Sequence, residues 1–165
     1  MEARKLSKVD SELFQLSLRI RHPSLDPADL SREFRIEAVH SFRAGDPRPS
    51  RSGLAPASVH AESYWLGALS PASWIRLPLA DPRLQVAQQG LGTVLTRSLT
   101  SVLGLSARFL SLHAETLQRI HAEGGQISLL VAVPTDEVSS YSVAPEVSRI
   151  FGELGVALEF EFTSD

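Results

Sequence analysis

Ser17-Leu18-Arg19-Ile20, then Asp26-Pro27, then Leu30-Ser31-Arg32-Glu33-Phe34 and a second strand running to Phe42, is the stretch that decides how this chain folds. Its pattern returns near the other end as Ser128-Leu129-Leu130-Val131, Ala144-Pro145, Val147-Ser148-Arg149-Ile150-Phe151 and a strand to Phe162. Each stretch reads as strand, proline-opened helix, strand. Two such βαβ-like halves predict one shared sheet. Duplication explains the pseudo-repeat, and so does the general likeness of short amphipathic helices.

Within the first half, Phe14, Leu16, Leu18 and Ile20 alternate with Gln15, Ser17, Arg19 and Arg21, the period of a strand with one face in the core. Pro23 ends it, because the residue before a proline avoids helical geometry. Asp26 suits the N-cap, Pro27 the first helical position, and Asp29 the positive end of the helix dipole. Leu25 and Leu30 have the spacing of a hydrophobic staple. A strand from Ile36 to Phe42 follows the helix.

Working outward, residues 43–58 carry Arg43, Arg48 and Arg51 against Asp46, with Gly45, Pro47, Pro49, Gly53 and Pro56 between them. This reads as an irregular Arg/Pro-rich loop, and a loop of that length in a compact domain is usually functional or disordered. A third strand is predicted over Val59–Leu66, with Ser63 and Trp65 on one face. Asp81-Pro82 opens a long helix whose end is predicted at Gly104. Ser106 then caps another helix, bearing Phe109, Leu110, Leu117 and Ile120, that stops at Gly124-Gly125. The strand Gln126–Val133 is apolar in both phases and reads as central and covered on both faces. Val156, Leu158, Phe160 and Phe162 alternate with Ala157, Glu159 and Glu161 in the last strand.

The predicted order is β-α-β-β-α-α-β-α-β: a single α+β domain over 11–165 after a flexible N-terminus (1–10). Its sheet is expected to be mixed or antiparallel, with helices packed mainly on one face. The chain has 165 residues, 43% of them apolar, which fits one domain with a single core. Zero cysteines remove disulfides, thiolate nucleophiles and Cys-based metal sites. No run approaches the ~20 apolar residues of a membrane helix, and Arg4, Lys5 and Lys8 precede no signal-like apolar stretch. A cytoplasmic protein without a membrane partner is the expectation. The net charge of -3 offers no electrostatic case for nucleic acid.

No metal-binding, P-loop or nucleophile-elbow motif occurs, so neither metal nor cofactor is predicted. His40 leads into the arginine-bearing loop, and His60 leaves it on the same side as Glu62 and Tyr64. If the flanking strands pair as a hairpin, His40, His60, Glu62 and the loop arginines cluster; a polar, solvated sheet face accounts for them equally. Arg43, Arg48 and Arg51 have the chemistry to hold a carboxylate or phosphate, or are solvated loop charge. His113, amid an apolar helix face, reads as a core histidine or as a base aimed into a pocket. From Val133 onward seven acids face one base, Arg149; seven minus one leaves about -6, a charge that steers a basic partner.

Leu25-Asp26-Pro27-Ala28-Asp29-Leu30, the strand into Ala44-Gly45-Asp46-Pro47-Arg48, Gly53, Ser63-Tyr64-Trp65-Leu66 and the Glu123-Gly124-Gly125 turn together resemble the bacterial domain-of-unknown-function family 4279. The resemblance spans most of the chain. It implies the fold and supplies no activity, substrate or catalytic residue. Asp46 and Trp65 are its most distinctive matches.

These readings favour a non-catalytic binding or protein-interaction module, of the immunity type that neutralises a toxin. A protein binding a small anionic ligand is the alternative. An acid–base enzyme using His40, His60 and Glu62 comes last. The candidate partner-binding residues are His40, Arg43, Asp46, Arg48, Arg51, His60, Glu62 and Trp65.

Overall fold

The alternating segment becomes β1 (Gln15–His22) in the computed structural model, which describes residues 14–49, 58–69, 99–134 and 141–163. It is followed by α1 (Pro27–Phe34), β2 (Ala38–Phe42), β3 (Ser63–Leu69), α2 (Leu99–Ser111), α3 (Ala114–Ala122), β4 (Gln126–Pro134), α4 (Pro145–Glu153) and β5 (Val156–Thr163). The start of α1 follows its local chemistry. The Asp26 carboxylate accepts the Ala28 N–H at 2.9 Å, and Pro27 occupies the first turn. An unpaired helix-start N–H is thereby satisfied, an effect worth about 1 kcal/mol.

The five strands form one sheet in the order β2-β3-β1-β4-β5. β1 lies antiparallel to both β3 and β4, β2 is antiparallel to β3, and β4 and β5 are parallel. The two βαβ-like halves thus share a sheet but differ in kind. β1 and β2 run the same way with β3 inserted between them, a split βαβ unit, whereas β4 and β5 are direct neighbours.

One face of this sheet holds the core. Leu16, Leu18 and Ile20 of β1, Trp65 and Leu69 of β3, and Ile127, Leu129, Val131 and Val133 of β4 meet Leu30 and Phe34 of α1, Leu103 and Leu110 of α2, Leu117 and Ile120 of α3, and Phe151 of α4. Each of these large side chains contributes roughly 1.5–3 kcal/mol of transfer free energy. The helices therefore stack on one side, as the alternation in β1 requires.

Three boundaries and one covering differ from expectation. Helix α2 runs through Gly104, and the Ser106 hydroxyl donates to the Val102 carbonyl at 2.9 Å inside that helix instead of capping the next. The break falls at Leu112-His113, where tighter bonds such as His113 N–H to the Leu110 carbonyl (2.9 Å) end the helix. Strand β3 begins at Ser63, not Val59. Residues 43–49 and 58–60 are ordered as a narrow ladder: Gly45 N–H to His60 carbonyl (2.8 Å), His60 N–H to Asp46 carbonyl (2.9 Å) and Arg48 N–H to Ser58 carbonyl (3.1 Å). Finally, β4 is central, but Leu130 and Ala132 are only half-buried, on the side away from the helices. No described element covers them there. The helix expected at Asp81-Pro82 lies outside the described residues.

Candidate functional site

Because α1, α2, α3 and α4 all lie on the core side, no described helix covers the opposite sheet face. Across it run His40 and Phe42 from β2, Tyr64, Leu66 and Ala68 from β3, Ser17, Arg19 and Arg21 from β1, Ser128, Leu130 and Ala132 from β4, and Ala157, Glu159 and Glu161 from β5.

A β-bulge puts the first two there. Strict alternation would place Ile36, Ala38, His40 and Phe42 on a single face. The register shifts between Ala38, opposite Gly67, and His40, opposite Leu66. Ile36 and Ala38 therefore pack into the core, while His40 and Phe42 turn outward. There the Phe42 ring stacks on His60 with centroids 3.6 Å apart and planes 20° apart, and lies parallel to Tyr64 at 5.2 Å and 13°. His40 touches both Phe42 and Tyr64, each at 5.7 Å.

Beside this shelf is a cleft of about 380 Å³ whose lining includes Arg21, Phe42, Arg48, His60, Glu62 and Gln126. The 43–49/58–60 ladder carries Arg48 and His60 to its rim. Arg21 approaches the Glu62 carboxylate at 3.9 Å, a loose pair. Arg48 has no ion pair among the described residues. Across the sheet, Arg19 pairs with Glu159 over β4. A hydrogen bond from Ser128, reinforced by the Arg19 charge, holds the Glu159 carboxyl below the usual carboxylate range.

The structure brings together His40, His60, Glu62 and Arg48 from the expected set. It separates the others. Arg43 points to the helix side and pairs with Asp26 at the start of α1. The Asp46 carboxylate accepts the Arg43 N–H at 2.7 Å, closing a tight turn around Gly45, whose φ is 87°. Arg43 and Asp46 border a different cleft of about 530 Å³ against α1, with Arg32 and Ser41. Trp65 is wholly buried against Phe34, and its indole N–H donates to the Ser31 hydroxyl at 2.9 Å; it is a core residue and reaches no surface. Arg51 lies outside the described residues. Neither His40 nor His60 hydrogen-bonds to Glu62, whose carboxylate has Arg21 as its neighbour.

Sequence reasoning missed Arg21 and Gln126 as neighbours of this site. The polar phase of β1 was the available signal: a strand in mid-sheet bearing Arg19 and Arg21 on its second face implies that this face is bare. It also missed His22, which is buried. The His22 Nδ1 accepts the N–H groups of Ser24 (3.1 Å) and Leu25 (2.9 Å), so the ring proton sits on Nε2. That nitrogen lies 3.3 Å from the Glu123 carboxylate but off a hydrogen-bonding line, so the attraction is one of charge and dipole. It ties the turn after β1 to the turn before β4, the two segments that bring Pro23 and Gly124 to the cleft wall.

His113 lies half-buried between Phe34 (4.9 Å) and Phe109 (5.1 Å), where burial lowers its pKa and Glu33 partly opposes the shift. It packs within the helical layer, away from the bare face. Among the described residues no cluster of three or more His, Asp or Glu side chains suits a metal, and no helix is long and apolar enough to cross a membrane. No protein-family model, curated protein or solved structure matches the chain.

Proposed function

We propose that the chain is a non-catalytic binding module that docks a partner protein on its bare sheet face. One observation carries this reading: the described helices cover a single side, and half-buried Phe42, Tyr64, Leu66, Leu130 and Ala132 lie on the other. The charges around that apolar strip are unequal. Arg19 pairs with Glu159 across it, Glu161 borders it on β5 with no ion pair among the described residues, and Arg21 and Arg48 border it at the ladder end, so a partner with a basic group beside Glu161 fits it best. An immunity-type role, neutralising a basic toxin from a cytoplasmic location, is the form of this proposal that the charge pattern favours. The resemblance to the bacterial family 4279 stands with this reading and brings no activity to transfer.

The test is capture from cells of the source organism on immobilised wild-type protein, on L66K/A132K and on Arg149→Ala. Leu66 and Ala132 face the proposed partner, whereas Arg149 is on exposed α4. A partner retained by wild type and Arg149→Ala, but released by the double variant, supports the proposal. Capture indifferent to the double variant, or no capture, refutes it.

A second reading, binding of a small anion, is favoured by the cleft beside the aromatic shelf, where Arg48 has no ion pair among the described residues and Arg21 holds Glu62 only loosely.

A further inference from the structure

We infer that this cleft selects a planar aromatic ring bearing a carboxylate. The inference rests on the small-anion reading and specifies what accompanies the charge. An anion site alone needs guanidinium or amide donors. Here Phe42 and His60, stacked at 3.6 Å with their planes 20° apart, both line the cleft as well. The two rings cover each other's facing sides, so a flat guest meets the edges and the outside of the stack, which attract an aromatic ring through its quadrupole.

The polar groups lie around that flat wall, where Arg21, 3.9 Å from the Glu62 carboxylate, offsets that acid and leaves Arg48 as the surplus positive charge. Arg48 presents a planar fork suited to the two oxygens of a carboxylate. It is exposed and carried by the ladder bond from its N–H to the Ser58 carbonyl at 3.1 Å. Gln126 supplies an amide, able to donate to the guest's oxygen or accept from a ring N–H. Gly124, with φ 87°, contributes no side chain to the wall. The volume of about 380 Å³ falls at the lower end of small-molecule sites, the size of one or two fused rings rather than of a large cofactor. An aliphatic carboxylate would satisfy Arg48 and leave the rings unused; a neutral ring would do the reverse.

Titration calorimetry on the full chain tests this with three probes at fixed ionic strength: 2-naphthoate, hexanoate and 2-naphthalenemethanol. We expect 2-naphthoate to bind about tenfold more tightly than either of the others, a factor that one charge-assisted contact or one stacking contact supplies. R48A should remove about tenfold of the naphthoate affinity, while Arg48→Lys retains part of it. His60→Ala should abolish the preference for naphthoate over hexanoate without abolishing hexanoate binding, a response that a misfolded variant would not give. Amide shifts at Gly124 and Gln126 should accompany binding. If hexanoate and naphthoate bind equally, the ring inference fails and the small-anion reading survives. If neither binds, both fail. Shifts confined to the Arg43–Asp46 turn and α1 would likewise overturn the assignment to this cleft.

Discussion

Arg35 closes α1 in a conformation that its side chain opposes. Its φ of 54° makes it the sole non-glycine residue with positive φ among those described. The strain persists because that conformation aims two consecutive N–H groups, those of Arg35 and Ile36, at the Ser31 carbonyl, satisfying a helix end that would otherwise be left open. A left-handed L-residue costs roughly 1–2 kcal/mol. Glycine removes that cost and returns part of it as unfolded-state entropy, roughly 0.5–1 kcal/mol. Arg35→Gly is therefore expected to stabilise the fold by about 0.5–1 kcal/mol and to raise Tm by about 1–4 °C in thermal denaturation. An unchanged or lower Tm would show that the exposed guanidinium matters more than the backbone.

Two glycines in neighbouring elements make opposite predictions, and the difference is spatial. A Cβ on Gly67 in β3 would sit 2.2 Å from the Trp65 indole and 3.0 Å from Ile36, so the tryptophan's place in the core depends on this glycine. Gly67→Ala should cost about 1–3 kcal/mol by overpacking. Gly104 in α2 has nothing within 4 Å of its would-be Cβ, and Ala there should gain about 1 kcal/mol through helix propensity. Urea denaturation checks both: Cm should fall for the first and rise for the second at constant m. The same contrast shows what one chain can disclose about itself. Elements with strong local chemistry were legible, such as the β1 alternation, the Asp26-Pro27 cap, Pro145 and the β5 alternation, because each is fixed by neighbours in sequence. Gly104 misled because glycine marks a helix end only where φ turns positive. The break at Leu112-His113 has no glycine or proline to announce it. The candidate site was half legible: His40, His60, Glu62 and Arg48 were grouped by the hairpin argument. The bulge at Val39 that turns Phe42 outward, and the pairing of β3 with β1 that brings in Arg21, are long-range register effects with no local mark.

Among the described residues, the pKa values of Asp26, His113 and Glu159 are all displaced downward. Burial between Phe34 and Phe109, with a smaller push from Arg35, lowers the His113 value, and Glu33 opposes it only in part. Below the ordinary histidine value of 6.5, the unfolded chain takes up a proton that folded His113 resists, so stability present above that value is lost as pH falls through the folded one. Asp26 is lowered first by the Ala28 N–H, and Glu159 first by the Ser128 hydroxyl. These two contribute stability above the ordinary values of 3.8 and 4.5 that disappears further into acid. Acidification should therefore weaken the fold in two separated steps, the histidine first. Between about pH 7 and about pH 5.5 the His113 step should act and the two carboxylate steps should not, because His is the side chain whose ordinary titration lies there. Replacing His113 by Phe or by Gln removes that proton while leaving the carboxylates intact. Thermal denaturation should then show wild-type Tm falling across the interval by on the order of 2 °C more than either variant. The two variants differ in polarity and fit, so only a loss of slope common to both reports the missing titration rather than altered packing. Equal slopes in all three proteins would mean that His113 opens to solvent readily enough to protonate in place, and the helical layer would then be looser around Phe34 than its packing implies.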